Sequence, residues 1–145
     1  MESMEDNCAA YLLDADAQVA DWLQPELQGL GFAVARFATA AEFFARGSGL
    51  RRGCLILESE LPDLGGLEVQ RMINQQALPL YLVYFSHTRE VATAVRAIQL
   101  GAVDFVCKRQ GWPRLQPTLQ RVARALRQPQ RSVLRRHPYA PAWPF

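Results

Sequence analysis

Four short apolar runs in this chain each give out on a side chain able to take part in chemistry. Ala10-Tyr-Leu-Leu13 is followed by Asp14 and Asp16, Cys54-Leu-Ile-Leu57 by Glu58, Leu80 to Phe85 by Ser86 and His87, and Val103 to Cys107 by Lys108. Carboxylates, a hydroxyl and an ammonium on one rim are the materials that hold a divalent cation beside a phosphoryl group. Hard oxygens suit Mg²⁺, and a lysine and a hydroxyl suit phosphoryl oxygens. Any one of these residues fits an ordinary loop. The set gains meaning if the runs are neighbouring parallel strands, whose C-terminal ends share one edge where function collects. His87 reads as a solvated loop residue. There is no nucleophile–base–orienter set and no glycine-rich phosphate loop; Gly65-Gly66 shapes a turn.

The elements that would carry this rim follow from periodicity. The runs read as strands buried on both faces, and Phe32 to Phe37 adds another. Val19, Trp22, Leu23, Leu27 and Leu30 recur at helical spacing and predict a helix over 18–28, with Pro25 marking a kink or a later start. Thr39-Ala-Ala-Glu42 is a capping box opening a short helix that buries Phe43 and Phe44. Leu67, Val69, Met72 and Ile73 mark a third helix, and Val91, Ala94, Val95 and Ile98 a fourth, closed by Gly101. Leu115, Leu119, Val122 and Leu126 mark the fifth, with Arg114, Arg121, Arg124 and Arg127 on its other face and Pro129 at its end. Strands alternating with helices imply a parallel sheet with right-handed crossovers and helices on both faces.

The 145 residues make one domain, read as 8–127, followed by a basic, proline-containing tail over 128–145. With 50% hydrophobic residues the chain is no disordered polymer. No apolar run approaches the roughly 20 residues that span a bilayer. The acidic N-terminus lacks the basic start of a secretory signal. Cys8, Cys54 and Cys107 have no metal-ligand spacing; the latter two read as small buried hydrophobes, and a reducing cytoplasm fits. All 14 acids lie at or before Asp104, against seven arginines there, whereas nine basic residues and no acid follow. One end of the molecule is therefore basic, which suits a solvated face, an acidic protein surface or nucleic acid.

Over roughly residues 9–127 the chain resembles the receiver domain of two-component response regulators, most closely receivers that precede a helix-turn-helix output domain. The resemblance rests on YLLDAD, RFATAAEFF, CLILESELPDLGGLEVQRM, VYFSHT, TAVRAIQLGAVDFVCK and the last helix. It implies a flavodoxin-like, doubly wound α/β fold with strand order 2-1-3-4-5. It also implies an aspartate on the third strand that accepts phosphate, an acidic pair after the first that holds Mg²⁺, a hydroxyl and an aromatic that switch, and a lysine that contacts the phosphoryl group. Ser86, Phe105 and Lys108 match the last three. Glu58 stands at the acceptor position, the acidic pair is Asp14 and Ala15, and Arg109 replaces the proline that usually follows the lysine.

These departures have physical consequences. Ala15 offers no oxygen to a metal that demands near-octahedral oxygens. Asp16, one residue along, leaves the backbone in a different direction. Glu58 is one methylene too long for an in-line transfer in which a misplacement of about 1 Å costs on the order of 100-fold, and it is long enough to reach Lys108. A cis bond before a non-proline residue costs roughly 2.5–4 kcal/mol, so the Lys108–Arg109 bond should be trans. Trp112 is a helix-start residue packed on the core or an exposed partner anchor. The expectation is a degenerate receiver, not an enzyme, with Mg²⁺ binding weak or absent, acting without phosphorylation. It would bind a protein partner or a second copy through the fourth helix, fifth strand and fifth helix, with Arg96, Asp104, Arg121 and Arg124 on that face and Asp104 paired to an arginine across a two-fold axis. The alternatives are a receiver still modified by a partner histidine kinase at Glu58 or Asp16, and a regulator with a nucleic-acid-binding basic tail. Few aromatics interleave the arginines, which weakens the latter.

Overall fold

Alternate residues of a strand point to opposite faces, so five strands apolar on both faces must fill two cores. The computed structural model describes residues 8–128; the acidic residues 1–7, Pro129 and the rest of the predicted tail lie outside them. The chain runs β1 (Cys8–Leu13), α1 (Ala17–Gly29), β2 (Phe32–Phe37), α2 (Ala40–Phe44), β3 (Gly53–Leu57), α3 (Gly66–Gln76), β4 (Leu80–Ser86), α4 (Val91–Gln99), β5 (Asp104–Cys107) and α5 (Gly111–Leu126), with single 3₁₀ turns at Gly47–Gly49 and Lys108–Gln110. The sheet is parallel throughout in the order β2-β1-β3-β4-β5. Leu12, Ile56, Val83, Phe85 and Val106 meet Leu23 and Leu27 of α1 and Leu115, Leu119 and Val122 of α5 on one face. Tyr11, Leu13, Leu55, Leu57 and Tyr84 meet Phe43 of α2, Val69 and Ile73 of α3 and Ala97 of α4 on the other.

Several local features differ from the sequence expectation. β1 begins at Cys8 rather than Ala10. Helix α1 runs through Pro25, which lies on its exposed side and removes one amide from the hydrogen-bond ladder without ending it. In the capping box, Thr39 Oγ1 accepts from Glu42 N at 3.1 Å, but the Glu42 carboxylate reaches Ala38 N at 2.8 Å, one residue early. Asp63, from the loop after β3, completes this cap by accepting from Ala40 N and Ala41 N at 3.0 and 2.9 Å. Phe43 is buried, whereas Phe44 is only partly so. The apolar residues that mark α4 do not face the core: Val91, Val95 and Ile98 are 75, 48 and 47% exposed, and Ala97 is the helix's buried residue. Helix α5 starts at Gly111, with Pro113 in its first turn, where no intrahelical partner is lost.

The C-terminal end of α5 is tied to the sheet edge opposite the rim. Arg52 donates from Nη1 to Leu126 O at 2.7 Å and from Nη2 to Ala125 O at 3.3 Å, and Arg127 Nη2 donates to Leu30 O at 3.0 Å. These guanidinium groups add donors to carbonyls at helix C-termini and oppose the negative end of the helix dipole. Among the described residues no helix is long and apolar enough to cross a membrane.

Candidate functional site

The strand order delivers β1, β3, β4 and β5 to one edge, and the polar residues that follow them meet there. Asp14, Glu58 and Ser86 are buried, and the Lys108 side chain is 7% exposed. The Lys108 ammonium lies 2.7 Å from Asp14 Oδ2 and 2.8 Å from Glu58 Oε1. The direct Glu58–Lys108 contact that the extra methylene allows is therefore present. It extends to Asp14, so one ammonium bridges two carboxylates.

Glu58 is also held by the rest of the rim. Its Oε1 accepts from His87 N at 3.1 Å; its Oε2 accepts from Ser86 Oγ at 2.5 Å and from Glu60 N at 3.0 Å. Ser86 has one proton, and giving it to Glu58 leaves Ser59, at 2.6 Å, to donate to Ser86 Oγ. Thr88 N donates to the same oxygen at 3.2 Å. Each Glu58 oxygen thus takes two donors, which fills the lone pairs of an ionised carboxylate. Burial alone would raise the Glu58 carboxyl, but the hydrogen bonds from Lys108 and Ser86 outweigh it and hold its pKa below the usual value. Burial would likewise lower the Lys108 ammonium, and the bonds to Asp14 and Glu58 instead hold its pKa above the usual lysine value.

The three residues after β1 divide their roles. Asp14 Oδ1 accepts from Asp16 N at 2.9 Å, Ala15 is exposed, and Asp16 turns its carboxylate to cap α1 by accepting from Gln18 N and Val19 N at 3.0 and 3.4 Å. Asp16 therefore does not replace the oxygen missing at Ala15. With the Lys108 ammonium seated between Asp14 and Glu58, and no oxygen at Ala15, these residues do not fit a divalent cation. Among the described residues, no cluster of three or more metal-ligating side chains forms.

Phe105 stacks on Tyr84 with ring centroids 5.0 Å apart and planes 22° apart. Tyr84, fully buried, donates its hydroxyl to Gln70 Oε1 at 2.8 Å, and Gln70 Nε2 donates to Ala97 O of α4 at 2.9 Å. Gly66 makes room for this arrangement: a Cβ there would fall 2.7 Å from Ser59 Cα and 3.0 Å from the Tyr84 ring. The Lys108–Arg109 bond is trans. His87 is exposed and contributes its backbone; Trp112 packs partly buried against the α1–α5 core. Ser59 and Tyr84 were not singled out from sequence. Tyr84 pairs in register with Phe105, so the strand order carried that signal; Ser59, one residue past Glu58, carried none.

On the α4–β5–α5 side Arg96, Arg121 and Arg124 are exposed. Asp104 is already engaged within its own chain. Arg114 of its own chain bonds it in bidentate fashion at 2.9 and 3.0 Å, and Thr118 Oγ1 donates to it at 2.6 Å. Burial would raise the Asp104 carboxyl, and these bonds hold its pKa below the usual aspartate value.

The family model described as the response regulator receiver domain matches residues 11–120. The response regulator protein TodT of Pseudomonas putida is 34% identical over 98 residues, covering 68% of this chain and 43% of that protein. The transcriptional regulatory protein FixJ of Bradyrhizobium diazoefficiens is 35% identical over 98 residues, covering 68% and 48%. The chain thus spans a little under half the length of these relatives. Among solved structures, full-length FixJ from B. japonicum superposes with a TM-score of 0.74 at 30% identity, covering 88% of this chain and 61% of that one. A structure titled FixJ-N gives 0.72 at 25% identity, covering 86% and 96%.

Proposed function

This chain belongs to the response regulator receiver domain family, and on that premise we propose that it signals by binding, as a protein-interaction or dimerisation module that needs no phosphoryl group. The observation that carries this reading is the saturation of Glu58. A carboxylate attacks phosphorus through a lone pair, and here an ammonium, a hydroxyl and two backbone N–H groups occupy them all. Lys108 and Ser86, which the resemblance assigns to phosphoryl contact, are spent on the acceptor position itself.

Glu58 supplies from within the negative charge that the phosphoryl group would bring, and its extra length places that charge against Lys108 and Ser86. Phe105, packed on Tyr84, supports the same reading, because the switch aromatic is already seated inward. The domain then holds a single conformation without modification by a histidine kinase. Mg²⁺ binds weakly or not at all, since even loss of an outer partner typically lowers metal affinity about 10–100-fold and Ala15 removes a direct one. The partner is a second copy or another protein of the same signalling system.

Incubation with Mg²⁺ and acetyl phosphate, followed by intact-mass measurement, tests this. The mass should stay unchanged. A stoichiometric phosphoryl adduct on Glu58 or Asp16 would overturn the reading.

A further inference from the structure

We infer that two side-chain amides of α3, those of Gln70 and Asn74, clamp α4 onto the domain and fix its position. Helix α4 is poorly equipped to hold itself. It is nine residues long, shorter than the roughly 12–15 residues below which an isolated helix is marginal in water. Helices in folded proteins draw most of their stability from burying an apolar face. Here Val91, Val95 and Ile98 are exposed, and Ala97 is the one buried residue of the helix. A single methyl group removes too little apolar surface from water to seat a helix on a sheet. Leu100 and Ala102, just past its end, are buried as well, so whatever holds α4 acts at its C-terminal turn.

Two directional bonds reach that turn. Gln70 Nε2 donates to Ala97 O at 2.9 Å, and Asn74 Nδ2 donates to Leu100 O at 2.9 Å. Gln70 and Asn74 are four residues apart on α3, and Ala97 and Leu100 three apart at the end of α4, so each pair shares a face and the bonds lie side by side. The last carbonyls of a helix are the ones that run out of intrahelical partners, and these amides supply donors to them. The Gln70 amide has one orientation. A carbonyl only accepts, so Nε2 faces Ala97 and Oε1 faces Tyr84, whose hydroxyl donates to it at 2.8 Å. At 2% exposure Gln70 has no water to replace either partner. One buried amide therefore joins α3, β4 and α4, and the position of α4 is set by bonds of fixed reach. The other end of the helix is held differently: His87 N and Thr88 N, just before it, bond to Glu58 and Ser86. The clamp is separate from those contacts, and so from the reading of Glu58.

Amide hydrogen exchange of the ¹⁵N-labelled full chain tests this, because it reads the opening of α4 apart from the unfolding of the whole domain. The amides of Leu100, Gly101 and Ala102, which bond back to Arg96, Ile98 and Ala97, are the reporters. Gln70→Met keeps an unbranched side chain but has no donor, and Asn74→Leu removes the second donor at a half-buried site. In each variant the reporters should exchange about tenfold faster than in the native chain, beyond any acceleration shared by the amides of β1 and β3. The control Val95→Ala/Ile98→Ala, on the exposed side of α4, should not accelerate them, since alanine favours the helix. If Gln70→Met does not fold, Asn74→Leu decides alone. Reporters that stay at the native rate, or that quicken only as much as β1 and β3, overturn the inference. So does a control that quickens them as much as the loss of an amide does.

Discussion

Replacing Lys108 with methionine removes the single ammonium shared by two buried carboxylates. Its Nζ lies 2.7 Å from Asp14 and 2.8 Å from Glu58, whose side chains are 4 and 3% exposed. Taking one partner from a buried ion pair costs about 3–5 kcal/mol, because a charge is left in a poorly solvating site. Here two like charges are left, so Lys108→Met should cost at least about 4 kcal/mol at pH 7, a large part of the roughly 5–15 kcal/mol that holds a domain folded. The loss should depend on pH. The folded-state pKa of Glu58 lies below its unfolded value, so its contribution is fully present above about pH 4.3 and fades as pH falls through the lower folded value. The folded-state pKa of Lys108 lies above its unfolded value, so its contribution persists up to about pH 10.4 and is lost as pH rises through the higher folded value. Between pH 7 and pH 4.5 the native chain therefore keeps this stabilisation. Without Lys108, burial and the neighbouring Asp14 carboxylate favour the protonated form of Glu58, so the variant sheds part of its excess charge as pH falls. Urea denaturation followed by circular dichroism should show a gap from wild type that is wide at pH 7 and visibly narrower at pH 4.5. A gap below about 1 kcal/mol at pH 7, or one identical at both pH values, would refute the assignment of Lys108 as the shared counter-charge.

Four further outcomes follow from the same geometry. Tyr84→Phe should cost about 1–3 kcal/mol in urea melts, because Gln70 Oε1 loses its buried donor; a loss near zero would mean that another donor replaces the hydroxyl. Gly66→Ala should cost more than about 2 kcal/mol by the same measurement, since its methyl meets Ser59 and the Tyr84 ring, neither of which has room to retreat. Asp104→Asn should cost about 1–2 kcal/mol at neutral pH and progressively less as pH falls below about 3.9, because the lowered pKa of Asp104 makes its contribution fade on acidification. Ala15→Asp together with Glu58→Asp should give Mg²⁺ binding detectable by calorimetry where the native chain gives none, with no heat from the double variant counting against the placement of the rim.

The five strands and the polar residues at their ends were legible because buried parallel strands leave uninterrupted apolar runs; their order was implied only by the resemblance to receiver domains. The Glu58–Lys108 contact was legible from side-chain length. The bridge to Asp14 was not, since Lys108 had to reach past β4 and β3 to the end of β1, and reach is not written in a residue's type. The fourth helix shows a different limit. Periodicity says that Val91, Val95 and Ile98 share a face, but only packing decides which way that face points. Leu82 and Tyr84 fill the sheet under α4, so the small Ala97 goes inward and the large residues outward. The bond that Asp104 makes within its own chain was hidden for a related reason. Arg114 is ten residues away, and only the turn at Lys108–Gln110 folds it back onto the strand.

Arg52 and Arg127 rivet the last turn of α5 to the sheet margin farthest from Glu58. The last described turn of α5 is thus held at the opposite ends of the strands from the charged rim. On the proposed reading, a message from this domain leaves through its exposed surface rather than through that anchored turn.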